Sequence, residues 1–305
     1  MTNTNITFDK STIPNLTGRV ILITGGTGGI GAELVVELVK HNPGRIFFTG
    51  RNAKSAESTI QRAQVAAPNA PVSFIQCDLA SMASVNEAAR KILAETDRLD
   101  VFLANAGIMA KPEGLSADGY EIQFATNHLG HALLTKKLLP LLERTADLPG
   151  ADVRVIITTS TAWGGGSLPF DRFKTTIKGH LGRWMRYSHS KLANLLYARE
   201  LARRYPKVLS FSLTPGVVST SLVSDLGLLD KGIVYVSQLG QVLTPEQGTF
   251  NHLFAISAPR DSLKPGAFYE PVGKLSKMET ARSKDPDLPG QLWDWTEKEL
   301  EKWIE

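Results

Sequence analysis

The segment Val20-Ile21-Leu22-Ile23-Thr24-Gly25-Gly26-Thr27-Gly28-Gly29-Ile30-Gly31 constrains this chain more than any other. Its aliphatic, β-branched start predicts a buried strand. That strand runs straight into a glycine-rich turn, and a helical pattern opens near residue 30. Glycines allow a tight turn and let backbone approach a ligand closely. The helix N-terminus beyond them offers unpaired N–H groups and the positive end of a dipole, a seat for a pyrophosphate. A glycine-rich turn alone also serves ordinary chain reversal. The strand before it and the helix after it make it a cofactor candidate.

The same alternation continues along the chain. Strands are predicted over Arg19–Thr24, Arg45–Thr49, Val72–Gln76, Asp100–Ala104, Val153–Thr159 and Val208–Leu213. Helical patterns lie between and after them at about 30–41, 53–66, 81–96, 116–144 and 187–205. Strict β-α alternation implies an α/β fold, a doubly wound parallel sheet with helices on both faces. About seven strands are expected, with right-handed crossovers. The 305 residues show no internal repeat or linker, which favours one domain over 1–305, with a core at about 16–274 and a C-terminal helical tail at 287–303. Two segments break the rhythm. Residues 161–186 are rich in glycine and aromatics, and 217–245 carry Leu222, Leu226, Leu228, Leu229, Ile233, Val234 and Tyr235. Both follow strand C-termini, where such folds place ligands, so both are expected at the substrate, the second as a lid.

Composition excludes several classes. A net charge of +4 with no run of Lys or Arg gives no nucleic-acid track. No apolar run reaches the ~20 residues of a membrane span. One cysteine, Cys77, rules out an intrachain disulfide and fits a reducing compartment. The polar start MTNTNITFDKSTIPNL lacks the apolar stretch of a secretory signal, so the expected location is cytoplasmic. Asn5-Ile6-Thr7 and Asn15-Leu16-Thr17 then read as chance matches to the glycosylation pattern.

Two further constellations carry chemistry. The second strand ends Phe47-Phe48-Thr49-Gly50-Arg51-Asn52, without the acid that would hold the ribose hydroxyls of NAD. Arg51 can instead pair with a 2′-phosphate, which points to NADP(H). Tyr187-Ser188-His189-Ser190-Lys191 opens a helix and puts Tyr187 and Lys191 on one face. A phenol titrates near ~10. A neighbouring ammonium is expected to lower that value, letting Tyr187 act as general acid or base.

The Thr-Gly-x-x-x-Gly-x-Gly spacing and the Tyr-x-x-x-Lys pair together resemble the short-chain dehydrogenase/reductase family, whose fold is of the Rossmann type. Asn105-Ala106-Gly107 matches its NAG segment, and Cys77-Asp78-Leu79 its adenine-contacting acid. The resemblance implies cofactor contacts from Gly25, Thr27, Gly29, Ile30, Gly31, Arg51, Asp78, Leu79, Asn105, Ala106, Gly107, Tyr187 and Lys191. Pro215-Gly216-Val217-Val218-Ser219-Thr220 matches the PG motif and adds Pro215, Gly216, Val218 and Thr220. It implies a catalytic set of Asn127, Ser160, Tyr187 and Lys191, with Ser160 bonding the substrate oxygen and Asn127 bending its helix and holding a water. The 27 positions from Ser160 to Tyr187 are long for the family but similar to retinol-dehydrogenase-like members. Thr244–Gly248, Tyr269–Lys274 and Leu292–Trp295 look like fungal members, many of them in secondary metabolism. The resemblance covers about residues 16 to 303.

His128 and His131, three positions apart, have no third ligand nearby in sequence and read as packed or solvated rather than as metal ligands. The expected activity is carbonyl–alcohol interconversion on a fairly apolar small molecule; dimers or tetramers are common in the family. Two other readings stay open: a same-fold enzyme doing non-redox cyclisation or isomerisation, and a non-catalytic NADP(H)-binding protein.

Overall fold

The structure, a computed structural model, describes residues 6–176, 178, 182–224, 226–227, 230–232 and 242–304. Asn5 lies outside them, as do Leu228, Leu229, Ile233, Val234 and Tyr235 of the expected lid and 177 and 179–181 of the 161–186 segment.

The expected strands form within one residue at each end: β1 (Val20–Thr24), β2 (Arg45–Gly50), β3 (Val72–Gln76), β4 (Val101–Ala104), β5 (Arg154–Thr158) and β6 (Leu209–Leu213). Helices α1 (Gly29–Leu38), α2 (Ala53–Ala66) and α3 (Met82–Glu95) alternate with the first four. The sheet has eight strands where about seven were expected, ordered β3-β2-β1-β4-β5-β6-β7-β8. β7 (Phe268–Glu270) runs parallel to β6, and the two-residue β8 (Lys274–Leu275) turns back antiparallel on it. So short a strand leaves no alternating pattern in the sequence to recognise.

Burial on both faces explains the continuous apolar runs. Val20 and Leu22 of β1 face a core built with α3, α5 (Gly130–Ala146) and α6 (Gly182–Arg204). Ile21 and Ile23 face the opposite core, with α1, α2 and α8 (Pro245–Ser257). The chain order reverses between β1 and β4, and the crevice outside their C-termini is where such a sheet binds ligands.

Two helices differ from expectation. The pattern read over 116–144 begins only at α4 (Ile122–Phe124), because residues 116–120 form a turn with Gly119 at φ +85°. Glu121 caps α4, accepting from the Phe124 N–H at 2.7 Å. A π turn (Ala125–Leu129) then precedes α5. Helix α6 begins at Gly182 rather than 187; Gln123 anchors its first turn by donating to the Arg183 carbonyl at 2.9 Å. Downstream lie α7 (Ser221–Ser224), α9 (Ala281–Lys284) and α10 (Leu288–Leu300), whose Leu292 and Trp293 pack onto the core of α5 and α6. No helix among the described residues is long and apolar enough to cross a membrane.

Burial holds four histidines neutral. It lowers His128 to about 3 and His131, His189 and His252 to about 4, from the usual 6.5. Between those limits the unfolded chain binds more protons than the folded one. Their contribution is therefore fully present above pH 6.5 and is lost as pH falls toward 4. Thermal melts should show Tm dropping steadily across that window, and His252→Gln should flatten the drop. A Tm independent of pH in this range would contradict the account.

Candidate active site

One cleft of about 730 Å³ opens at the C-terminal ends of β1, β4, β5 and β6. It is lined by every residue expected from sequence except Asn127: the glycine-rich turn, Arg51, Asp78 and Leu79, Asn105 to Gly107, Ser160, Tyr187 and Lys191, and Pro215, Gly216, Val218 and Thr220.

The floor is backbone in close approach. Gly25 has φ +74°, and a Cβ on Gly31 would run into the Gly25 carbonyl. Gly28 opens α1 with no side-chain cap, and the space around its Cα is open. The first N–H groups of a ten-residue helix are thus left for a ligand. This cradle fits the pyrophosphate of a dinucleotide. Asn105 ties the strands beneath it, its amide donating to the Thr24 carbonyl at 2.9 Å. Thr220 comes against Gly29 from the other wall: its Cγ2 lies 3.4 Å from where a Gly29 Cβ would be.

Asp78 and Arg51 stand at the far end of the cleft. Ser81, three positions beyond Asp78, caps α3 by accepting from Ser84 N–H at 3.4 Å, which leaves the Asp78 side chain to other partners. Its Oδ1 accepts from Ala80 N–H at 3.0 Å. Arg51 is exposed where β2 ends, and Thr27 lies so close to Gly50 that no side chain fits there.

The reacting end forms where β5 meets α6. Ser160 follows β5 and caps a 3₁₀ turn (Thr161–Gly165), its Oγ accepting from Ala162 N–H at 3.3 Å. Tyr187 is buried; burial pushes its phenol up to about 12, with a hydrogen bond to Ser160 pulling the other way. This corrects the sequence expectation of a lowered value. Lys191 Nζ lies 5.6 Å from the Tyr187 ring centroid and donates to the Thr158 carbonyl at 3.2 Å. Burial lowers Lys191 to about 8. Desolvation is the largest cause at both groups.

Asn127 sits one layer beneath the cleft, fully buried within the π turn, an irregularity frequent at functional sites. Its Oδ1 accepts from Ile108 N–H at 2.8 Å; its amide donates to the Ile108 carbonyl and to Ser190 Oγ, each at 2.9 Å. Ser190 in turn donates to the Tyr187 carbonyl at 2.8 Å. Asn127 thus joins the loop after β4 to the helix of Tyr187. Space at Gly107 is tight: a Cβ there would lie 3.2 Å from Asn127 Oδ1 and 3.4 Å from Lys191 Nζ, so a larger residue would need these side chains to shift slightly.

Trp184 of the 161–186 segment and Val217, Leu222 and Val223 of the 217–245 segment line the cleft, as expected of both segments; sequence reading missed Met109 of the cleft wall, and Glu270 and Pro271 at its edge. The last two stand in a segment singled out as a motif; nothing local distinguishes Met109. His128 and His131 are packed: His128 Nε2 lies 3.2 Å from Thr296 Oγ1, and His131 bridges Thr24 and the Asn127 carbonyl at 2.8 and 3.0 Å.

Comparison with known proteins agrees with this geometry. The sequence profile described as short chain dehydrogenase matches residues 19–170. The short-chain dehydrogenase/reductase drtF of Aspergillus calidoustus is 33% identical over 302 residues, covering 95% of this chain and 96% of that one. Human retinol dehydrogenase 12 is 36% identical over 216 residues, 70% of this chain and 66% of its own. A crystal structure of an uncharacterised protein from Mycobacterium paratuberculosis matches with TM-score 0.73 and 26% identity, covering 96% of this chain and 97% of that one. The chain belongs to the short-chain dehydrogenase/reductase family of nicotinamide-dependent oxidoreductases.

Proposed function

We propose that this protein interconverts a carbonyl and an alcohol on a fairly apolar small molecule, using NADP(H), with Tyr187 as the proton-transfer group. The observation that carries this reading is the meeting of Tyr187, Ser160 and Lys191 beside the glycine cradle in one cleft. When bound, the nicotinamide supplies the hydride to the substrate carbon or accepts it from there. Ser160 holds the substrate oxygen and stabilises the charge that develops on it. In reduction, the Tyr187 hydroxyl gives its proton to that oxygen; in oxidation, its phenolate takes one back. Lys191 would hold the ribose and, as a cation, favours the phenolate. Asn127 positions the Tyr187 helix and the loop at Ile108 through its three hydrogen bonds.

The missing acid after β2 and the exposed Arg51 support NADP over NAD. An apolar substrate is supported by Met109, Val217, Leu222 and Val223 around the reacting end. One relative is named for retinol, an alcohol. We read the chain as one domain, since the C-terminal helix packs on the same core as α6, and place it in the cytoplasm, where the buried thiol of Cys77 stays reduced.

Tyr187→Phe should keep cofactor binding and lose turnover by about 100- to 10,000-fold, the usual worth of an acid–base group. Ser160→Ala should act on turnover too, and the double variant should lose less than the two single losses multiplied. Steady-state assays with NADPH check this; full activity in Tyr187→Phe would overturn it and favour the non-redox reading.

NADPH should bind more tightly than NADH by roughly 1.5–3 kcal/mol, one to two decades of affinity. Arg51→Ala should close most of that gap and leave NADH almost unchanged. Calorimetric titration giving equal affinities in the unaltered protein would contradict the assignment.

A further inference from the structure

At the reacting end, Met109, Val217, Leu222 and Val223 gather with two aromatic side chains, Tyr187 and Trp184. Trp184 stands three positions before Tyr187 on α6, so the two side chains leave the same face of the helix. Its ring lines the cleft, while its Nε1 donates to Asp230 Oδ1 at 2.9 Å. Asp230 is only 3% exposed, and its other oxygen accepts from Arg183 Nη1 at 2.6 Å. The base of this wall is held as well. Arg186 donates to the Lys111 carbonyl at 2.9 Å, and its Nε lies 3.1 Å from Glu121 Oε1.

An indole has one donor and no acceptor, so the position of that donor's partner sets the plane of the ring. Burying a carboxylate costs free energy unless it is paired and hydrogen-bonded. A leucine would close an apolar pocket without that cost. What an indole adds is a flat face of fixed orientation, which favours stacking against another π system. The Met109 thioether, soft and polarisable, suits the same kind of partner.

We propose that Trp184 is a specificity-determining residue that selects flat, conjugated carbonyl compounds over saturated ones of equal size, and that Asp230 is the positioning residue that sets its plane. This rests on the carbonyl–alcohol reading of the site and names its substrate class.

The test compares acetophenone with methyl cyclohexyl ketone, which have equal carbon counts. kcat and KM are measured with NADPH, and binding by calorimetry in the presence of NADP⁺, where neither ketone can be reduced. The unaltered protein should favour acetophenone by about two- to tenfold, expressed mainly in KM. Trp184→Leu and Asp230→Ala should lose that preference. Trp184→Phe should keep part of it, and Asp230→Asn, which still offers an acceptor to the indole, should restore it relative to Asp230→Ala. Circular dichroism establishes that each variant folds, and Trp184→Phe and Asp230→Asn carry the comparison if the harsher changes do not.

Both ketones losing the same factor in Trp184→Leu would make the wall merely structural and overturn the proposal. So would turnover of both ketones without preference, which would leave the redox reading standing, and so would failure to bind acetophenone. Preferential binding of acetophenone that Trp184→Leu abolishes, without turnover of either ketone, would support the proposal and count against the redox reading instead.

Discussion

The hydroxyl of Thr24 is the point on which the site depends. It accepts the N–H groups of Asn105 at 2.9 Å and Ala106 at 3.0 Å, and it lies 2.8 Å from His131 Nε2. With both lone pairs engaged, its own proton goes to the imidazole, which makes Nε2 the acceptor and Nδ1 the donor. Nδ1–H then donates to the Asn127 carbonyl at 3.0 Å. The end of β1, the start of the loop after β4 and the π turn before α5 are thereby tied together. Burial keeps His131 neutral at about 4, so this tautomer persists through the physiological range. The glycine cradle and the helix of Tyr187 meet through this chain of bonds and through Asn127.

The electrostatics of the reacting end follow from depth. Tyr187 is pushed up to about 12 and Lys191 down to about 8, both by burial, so each is biased toward its uncharged form. At neutral pH the phenol is protonated, the state that reduction of a carbonyl requires. Lys191 still carries its proton below about 8, which leaves a cation within reach of the ring when the phenolate forms.

What was legible in the sequence was whatever depends on near neighbours in the chain. The β1–turn–α1 unit, six strands and the Tyr187–Lys191 spacing are local patterns, and they emerged within a residue or so. The start of α4 was misplaced although Glu121, its cap, stands in plain view three positions before Phe124. Gly119 and its turn decided that boundary. Asn127 stood out in the sequence through the family resemblance, as a member of the catalytic set that bends its helix; a π turn is the irregularity found around it. Trp184 and Asp230 fall in the two segments that broke the strand–helix rhythm, but their pairing and the place of Met109 beside them carry no local signature, because what joins them is the approach of α6 to segments far along the chain. The phenol shift was misjudged for the same cause: burial is a tertiary property, and it is the largest influence on Tyr187.

The central claim is that the cleft passes hydride to a carbonyl carbon while Tyr187 protonates the oxygen. Its most direct test uses NADPH carrying deuterium at both C4 positions of the nicotinamide with a conjugated ketone, followed by mass spectrometry of the product. The account predicts one deuterium on the carbinol carbon, none at any other position, and the label's absence when Tyr187→Phe replaces the enzyme over the same interval. A product formed at full rate without deuterium would contradict it.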